Sequence, residues 1–330
     1  MAATRRARNV ELGYTLSSEE RQPDELVHHA QAAEESGFTF ALISDHFHPW
    51  IDKQGSSPFV WSVLGGIATL TKRLRVGTGV TCPTIRTHPA IVAQASATIA
   101  CLMPGRFFLG VGSGESLNEH ITGRLWPPPD MRQDMLEEAV EVLRLLHAGG
   151  ERSHHGRFFE VHDARIYNLP EQPLPIYMAA AGEQAAGLAG RVADGLICTD
   201  PSAKTVAKFH ASGGKGKPMY GQVTVCWAKT EAEAVRTAHE MWPNAGLSGR
   251  FKNEVPRPSH IEEAARTVRP EDVAEKVVCG PDPERHLEAI AKFVRAGFDH
   301  VYVHQVGPDQ AGFMRFYERE ILPNVRELAA

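Results

Sequence analysis

The feature that most constrains this fold is an alternation of short apolar runs with longer helix-like stretches along the 330 residues. The apolar runs are typical of strands covered on both faces, since they lack the polar alternation of a half-exposed strand. Eight of them are predicted as strands: residues 10–16, 40–43, 74–81, 106–114, 176–181, 195–199, a part of 217–228, and 300–305.

Helical patterns lie between the predicted strands. Pro23 stands at the first turn of the first helix, where its missing N–H is not needed, and Gly37 ends that helix. The predicted helices are 24–36, 59–71, 88–102, 130–147, 183–192, 202–212, 231–242, 283–296 and 310–328. Strands that alternate with helices indicate a parallel sheet of the α/β class, and eight such units favour a closed (β/α)8 TIM barrel. An open doubly wound sheet is the alternative, but it usually has about six strands.

Two segments interrupt the alternation. Residues 152–170 alternate apolar and turn-forming residues and are predicted to form a hairpin, while the Pro- and charge-rich stretch 243–270 is predicted to be a long loop with a helix. Long insertions in a barrel are often functional and lie near its site. We therefore expect one domain over 1–330, with insertions near 150–172 and 243–270 at the C-terminal mouth.

Composition narrows the partners. The net charge is −5 and no Lys/Arg block exists, so nucleic acid and anionic membranes are not expected partners. No apolar stretch approaches the roughly 18 residues of a membrane span. The histidines at 88, 120, 154 and 155 show no ligand spacing, and no metal is predicted. The five cysteines, which lack any CxxC pair, indicate a reduced, cytoplasmic protein without a structural zinc: Cys82, Cys101, Cys198, Cys226 and Cys279.

The densest chemistry follows the second predicted strand. Asp45, His46, His48 and Trp50 come directly after the apolar run, and Pro49 prevents the strand from continuing. Two interpretations are open at this point. The segment is either the mouth of an active site or a strand end with a polar turn and a Trp that covers the core.

The other strand ends support a site at the barrel mouth, because catalytic groups of barrel enzymes lie at the C-terminal ends of strands. Small and polar residues alternate there, as a flat and partly anionic ligand would require. Gly182 directly precedes a helix, whose free N–H groups and positive dipole end favour an anion. The residues read from these ends include Glu19, Gly79, Val80, Cys82, Gly114, Glu115, Asn118, Ala180, Ala181, Thr199 and Gln305.

Five segments resemble the luciferase-like flavin and deazaflavin superfamily. They are SDHFHPW at 44–50, VGTGVTCPTIRTHPA at 76–90, RFFLGVGSGESLNE at 106–119, GRFFEVHDARIYNLP at 156–170 and ADGLICT at 193–199. Within that superfamily the chain looks like the family of coenzyme F420-dependent glucose-6-phosphate dehydrogenases. The resemblance implies a TIM barrel paired as a homodimer, with coenzyme F420 at the mouth and a small-molecule substrate that is dehydrogenated.

The resemblance also implies where the cofactor lies. In the family a non-proline cis peptide supports the ring, and Gly79-Val80 occupies that place. Cys82 stands where the family usually has a Thr that hydrogen-bonds to the cofactor. The chain departs from the family at this contact. The positions that match the family's cofactor segments are Asp45, Gly79, Val80, Cys82, Ser113, Gly114, Asn118, Ala180, Ala181, Gly182 and Glu183.

Three residues match catalytic positions of the family. His46 would accept the proton of the substrate hydroxyl, since imidazole titrates in the required range. Glu115 would act as a proton donor or an electrostatic partner of the cofactor. Trp50 would lie beside the reacting carbon. The alternatives are an ordinary carboxylate at a helix start for Glu115 and a cover over the core for Trp50.

The substrate is less well indicated. Sugar-phosphate members of the family carry three basic residues around the phosphate, of which Lys252 and Lys276 retain charge here, whereas Ser202 and Asn253 replace a Lys and a His. Glu19 and Thr199 complete the expected substrate contacts. A neutral secondary alcohol is the competing substrate. A flavin-dependent monooxygenase and a non-catalytic deazaflavin-binding protein are the competing functions.

Overall fold

The chain folds into a closed parallel β-barrel. In this computed structural model the described residues are 10–247, 249, 251–325 and 328. The ring runs β1-β2-β3-β4-β7-β8-β9-β11, and β11 pairs back with β1. The strands are β1 Glu11–Leu16, β2 Phe40–Ile43, β3 Arg75–Thr78, β4 Phe107–Val111, β5 Arg152–His155, β6 Glu160–Ala164, β7 Ile176–Ala179, β8 Gly195–Cys198, β9 Met219–Cys226, β10 Val278–Cys279 and β11 His300–Gln305. The predicted (β/α)8 barrel is confirmed, and the open sheet is excluded.

Helices surround the barrel, and six of the described α-helices have proline in the first turn, where no N–H partner is needed. The helices are α1 Pro23–Glu35, α2 Val60–Leu70, α3 Pro89–Leu102, α4 Ser116–Glu119, α5 Pro129–His147, α6 Glu183–Val192, α7 Ala203–Phe209, α8 Glu231–Met241, α9 Phe251–Glu254, α10 Pro258–Ala265, α11 Pro270–Ala274, α12 Pro283–Ala296 and α13 Gln310–Phe316. Within the described part of the chain, no helix is long and apolar enough to cross a membrane.

Several predicted elements end earlier than the sequence suggests. The third and fourth strands end at Thr78 and Val111, where the regular ladder stops and the chain begins to line a cavity, although Thr81 still forms a single bridge with Val111. The last helix gives way after Phe316 to a π-helical turn, Tyr317–Ile321. Residues 326 and 327 of that predicted helix lie outside the described residues.

The two insertions differ. The predicted hairpin is present as the antiparallel pair β5–β6. The segment 243–270 is not a loop with one helix: it contains a 3-10 turn, α9, α10 and the start of α11. Pro258 and Pro270 each open a helix there, so prolines that suggested a loop act as helix starts. The two-residue strand β10 pairs with β9 and was not predicted.

Aromatic side chains fill the barrel below its mouth. Phe40, Phe108, Tyr220 and Tyr302 are buried there together. Gly77 makes room for this layer, because a Cβ at that position would lie 2.0 Å from Cε2 of Phe108. A ring layer under the strand ends gives the cavity above it a rigid floor.

We predict that Gly77→Ala destabilises the fold by about 1–3 kcal/mol, the usual cost of overpacking a filled core. Phe108 cannot move away easily, because its ring centroid lies 5.1 Å from that of Tyr177 and 5.3 Å from that of Tyr220. Urea unfolding measures the change. The matched control is Gly65→Ala in α2, where an added Cβ meets no described atom within 4 Å and helix propensity favours Ala by up to about 1 kcal/mol. Equal stability of Gly77→Ala and the parent would contradict the rigid layer.

Candidate active site

A cavity of about 830 Å³ opens at the C-terminal ends of the barrel strands. Its wall comes from the ends of the barrel strands, from α5 and α6, and from the insertion 243–270. No residue of the described hairpin β5–β6 contributes to it, so of the two insertions it is the second that forms part of the wall. The cavity is large enough for a cofactor and a small substrate together.

His46 stands in this wall beside Glu19. The distance from His46 Nε2 to Glu19 Oε1 is 3.5 Å, and the two side chains are 10% and 5% exposed. His46 Nδ1 lies 3.1 Å from the carbonyl oxygen of His48. The ring of Trp50 meets the imidazole edge-on, with centroids 5.0 Å apart. One imidazole is therefore held by a backbone carbonyl on one side and a carboxylate on the other.

Glu19 is itself fixed by hydroxyl groups. Ser44 Oγ donates to Glu19 Oε2 at 2.5 Å, and Ser17 Oγ donates to the same oxygen at 3.2 Å. Burial raises the pKa of the Glu19 carboxyl, but the neighbouring His46 and the hydrogen bond from Ser44 outweigh burial and leave that pKa below its ordinary value. Glu19 is thus a carboxylate whose charge faces His46.

Glu115 occupies the N-cap position of α4 and lines the same cavity. Asn118 Nδ2 donates to Glu115 Oε2 at 3.3 Å, while Asn118 Oδ1 accepts from the backbone N–H groups of Phe47 and His48 at 2.9 and 3.2 Å. One amide side chain therefore joins the segment that carries His46 to the segment that carries Glu115.

A buried ion network lies directly behind this wall. Arg86 Nη2 donates to Asp45 Oδ1 at 2.8 Å, and Thr81 Oγ1 donates to Asp45 Oδ2 at 2.8 Å. Arg86 also meets Glu119, with Nε 3.6 Å from Oε1, and its backbone N–H donates to Glu119 Oε2 at 2.7 Å. Burial raises the pKa of Glu119 to about 7, although Arg86 opposes that shift.

Cys82 belongs to the same buried layer. Its Sγ lies 3.1 Å from the hydroxyl of Thr84, and burial raises the pKa of the thiol well above its ordinary value, with Glu119 adding to the shift. Gly114 passes close by at φ +74°, and a Cβ there would lie 2.6 Å from Cys82 Sγ. The thiol therefore packs against the backbone of the cavity wall from behind.

Small residues and a helix start form a further part of the wall. The Gly79-Val80 peptide is cis, as the resemblance implied. Residues 179–185 line the cavity up to the first turn of α6. Gly182 is the N-cap of that helix, and a Cβ added there would meet no described atom within 4 Å. The free N–H groups of α6 are therefore accessible to an anionic group in the cavity.

Two lysines reach the cavity from outside the barrel strands. Lys252 Nζ lies 5.8 Å from the centroid of the Trp50 ring, and burial lowers its pKa while the Glu115 carboxylate opposes that shift. Lys276 lines both this cavity and an adjoining one of about 620 Å³. Among the described residues, no ion pair involves either lysine. By contrast, Ser202 caps α7 through Thr205, away from the cavity wall.

The sequence analysis missed a second His–Glu pair in the mouth. His304 lines the cavity, and its Nε2 lies 2.8 Å from Glu20 Oε2, with both side chains at most 2% exposed. The Trp242 ring packs edge-on against the imidazole at 4.5 Å. The alternation of side chains along a strand could have indicated His304. Tyr302 and His304 share the inward face of β11, whereas the predicted Gln305 points outward and accepts from the backbone N–H of Trp227.

The structure brings most of the predicted site residues to one cavity. Those in its wall are Glu19, His46, Trp50, Gly79, Val80, Ser113, Gly114, Glu115, Ala180, Ala181, Gly182, Glu183, Thr199, Lys252 and Lys276. Asp45, Cys82 and Asn118 lie one layer behind the wall, in the contacts given above. Their contact with a cofactor stays a prediction.

The sequence is similar to a known protein family and to characterised enzymes over nearly its whole length. Residues 9–300 match the model of a family described as luciferase-like monooxygenase. The F420-dependent glucose-6-phosphate dehydrogenase of Nocardia farcinica is 36% identical over 334 residues, which cover 97% of this chain and 99% of that protein. The enzyme of the same name from Beutenbergia cavernae is also 36% identical, over 96% of this chain and 97% of its own length.

Two solved structures of F420-dependent enzymes are similar to this fold over nearly the whole chain. An F420-dependent secondary alcohol dehydrogenase in complex with an F420–acetone adduct superposes with a TM-score of 0.89 and 30% identity, over 96% of this chain and 99% of that one. A coenzyme F420-dependent tetrahydromethanopterin reductase from Methanopyrus kandleri has a TM-score of 0.78 at 21% identity over 96% and 99%, and shares the fold.

We predict that Glu119 makes the stability of the protein fall as pH rises from about 4.5 to about 7. Its pKa is about 7 in the folded protein and 4.5 in the unfolded chain, so in this window the folded state holds a proton that the unfolded state has lost. Glu119→Gln stays neutral and should not lose stability through this group. As pH rises through this window, the free energy of unfolding of the parent should therefore fall relative to that of the variant. Urea unfolding at several pH values measures the difference, and a difference that does not vary with pH would contradict the shift.

Proposed function

The chain belongs to the luciferase-like monooxygenase family, and we propose that within it the protein is an F420-dependent dehydrogenase acting on CH–OH groups. The hydride passes from an alcohol carbon of the substrate, a sugar phosphate or a related hydroxylated compound, to the deazaflavin. The observation that carries this proposal is the single cavity in which the Glu19–His46 pair, Trp50 and Glu115 line one wall. The 36% identical F420-dependent relatives support the same reaction class.

The cavity fits coenzyme F420. A flat ring requires small neighbours, which Gly79, Gly114 and residues 179–182 provide, and an anionic tail requires donors, which the N-terminus of α6 provides. Gly182 leaves open space in front of that helix start. When bound, the deazaflavin would accept the hydride. The protein residues would bind and orient the cofactor and the substrate, and would move the proton.

His46 is positioned as the base. A carbonyl oxygen only accepts hydrogen bonds, so the 3.1 Å contact with His48 requires the hydrogen on Nδ1 of the neutral ring. Nε2 then carries the lone pair that can accept the proton of a substrate hydroxyl. Glu19, 3.5 Å from Nε2, stabilises the imidazolium that results. When His46 removes the proton of the hydroxyl group, the carbon that bears this hydroxyl loses hydride more easily.

Glu115 and Trp50 complete the site. Glu115 is a carboxyl group at the cavity wall that Asn118 orients; it would donate a proton as the acid, or balance charge on the cofactor side as the carboxylate. Trp50 packs its ring against His46 and so limits the directions from which a substrate can reach the imidazole. Water is excluded from that side of the base by the same ring.

A sugar phosphate is the substrate that the cationic groups favour. Lys252 and Lys276 line the cavity without ion-pair partners in the described part of the chain, and a phosphate would neutralise both. A neutral secondary alcohol is the second candidate. It is favoured by Ser202, which caps α7 rather than adding a third donor, and by the alcohol dehydrogenase that superposes at a TM-score of 0.89. A cytoplasmic homodimer stays a prediction from the family resemblance.

We predict that His46→Ala lowers kcat for F420 reduction about 10²–10⁴-fold, the usual contribution of a general base, because the variant lacks the imidazole that takes the hydroxyl proton. F420 affinity, measured by quenching of its fluorescence, should change little. Glu19→Gln should also lower kcat, since the imidazolium loses its counter-charge.

The matched control is His88→Asn, at the N-cap of α3, where Asn keeps an acceptor for the Ala90 N–H and activity should persist. Unchanged turnover in His46→Ala would remove the assignment of the base. Binding of flavin mononucleotide and not F420 by the parent protein would instead favour a monooxygenase.

We predict that Lys252→Ala raises KM for a phosphorylated sugar about tenfold to a hundredfold, the range for a lost charge-assisted hydrogen bond, and leaves KM for a neutral alcohol unchanged. Steady-state assays of F420 reduction with glucose 6-phosphate and with isopropanol measure both values. Lys204→Ala on the surface of α7 is the control, since Lys204 is exposed and lies outside the cavity wall. An equal effect of Lys252→Ala on both substrates would contradict a phosphate subsite.

A further inference from the structure

The outer face of the β5–β6 hairpin carries a cluster that the proposed reaction does not use. His155, Glu160 and His162 lie there with ligand atoms that are all within 4.8 Å of one another. Among the described residues, these three are the one group of at least three His, Cys, Asp or Glu side chains whose ligand atoms lie this close together. The sequence analysis predicted no metal from histidine spacing, because Glu160 meets the two histidines through strand pairing and not through a local motif.

The strand register explains the cluster. His155 pairs directly with Glu160 across the hairpin, and His162 follows Glu160 by two positions on the same face. His155 Nδ1 lies 2.7 Å from Glu160 Oε2, and His162 Nε2 lies 3.8 Å from the same oxygen. The two imidazole centroids are 5.2 Å apart. Both rings therefore present a nitrogen to one carboxylate oxygen.

The inner face of the hairpin holds this arrangement in place. Glu138 of α5 accepts from the backbone N–H groups of Phe158 and Phe159, and its Oε1 lies 3.2 Å from His154 Nε2. Phe159 is buried in the main core at 3% exposure. At the open end, Ser153 Oγ donates to Asp163 Oδ1 at 3.1 Å. The hairpin is thus anchored to the barrel, and its outer side chains start from a rigid backbone.

The donor set suits a transition metal. Donors on one Zn²⁺ lie about 3.3 Å apart, given bonds of roughly 2.0–2.2 Å, and the observed separations of 2.7 and 3.8 Å lie on either side of this value. The side chains are 56–70% exposed, so small rotations can bring them to an ion. Imidazole nitrogen favours Zn²⁺, Ni²⁺, Co²⁺ or Cu²⁺, whereas Mg²⁺ and Ca²⁺ prefer oxygen ligands.

We propose that His155, Glu160 and His162 form a binding site for a divalent transition-metal ion on the outside of the barrel. Three protein ligands leave at least one coordination position to solvent, as in an open site. None of the three residues, all of which are described, lines the mouth cavity. The site is therefore independent of the F420 chemistry, and its test does not depend on turnover.

Calorimetric titration of the untagged full-length protein with ZnCl₂ at pH 7.5 tests the proposal. We expect saturable binding of one equivalent of Zn²⁺ and no binding of MgCl₂, because Mg²⁺ prefers oxygen ligands. His162→Asn and Glu160→Gln should each weaken Zn²⁺ binding by about tenfold or more, since even outer-shell partners of a metal contribute that much. Circular dichroism should show that both variants keep the fold.

His28→Asn is the matched control, because His28 is an exposed histidine on α1 that lies outside the cluster. It should bind Zn²⁺ as the parent protein does. The proposal is overturned if the parent shows no saturable binding, or if His162→Asn and Glu160→Gln bind Zn²⁺ as tightly as the parent. The latter result would place the ion elsewhere, for example at the exposed thiol of Cys101.

Discussion

A buried guanidinium between two carboxylates holds the mouth of this barrel in shape. Arg86 comes from the loop after β3, Asp45 follows β2, and Glu119 ends α4 beyond β4, so one side chain joins three neighbouring strand ends. Loss of one partner from such a network typically costs about 3–5 kcal/mol, because a charge stays buried without compensation. The segments that carry the proposed catalytic residues begin next to these groups: His46 adjoins Asp45, and Glu115 lies one helical turn before Glu119.

The geometry of the proposed site therefore depends on residues that do not line the cavity. Asn118 links the backbone after His46 to the carboxylate of Glu115, and the Arg86 network fixes both segments from behind. A base and an acid on separate loops would vary in distance if each loop moved alone. Rigid support of this kind is what keeps reacting groups within the narrow range of geometry that catalysis requires.

Much of the fold could be predicted because a parallel barrel has a simple sequence pattern. Its strands are buried on both faces and read as continuous apolar runs, as in β2 and β8, and β11 was predicted to the residue. Two kinds of element could not be predicted. Strand β10 has two residues, too few for any period, and helices α9 and α10 depend on tertiary contacts such as that of Ile261 with Ile51 and Leu117.

The same distinction applies to the site. His46, Trp50 and Glu115 could be placed because they follow strands in the chain and match a known family. Arg86 and Glu119 could not, because their partners are 41 and 33 positions away and nothing in the local sequence indicates burial of the charge. Asp45 was predicted to contact the cofactor, which stays a prediction; the structure shows Arg86 and Thr81 at its two carboxylate oxygens, contacts that the local sequence does not indicate.

Reaction and substrate choice are thus determined by parts of the chain with different physical origins. The proposed base His46 and its partner Glu19 lie on loops fixed to the barrel, where eight strands and a buried ion network define their positions. Lys252, Trp242 and Asn244 enter from the segment after β9, whose short helices pack through Ile261 against Ile51 and Leu117. A substitution of a residue of that segment that lines the cavity, such as Asn244, changes the space next to His46. The hydride chemistry can therefore persist while the substrate changes.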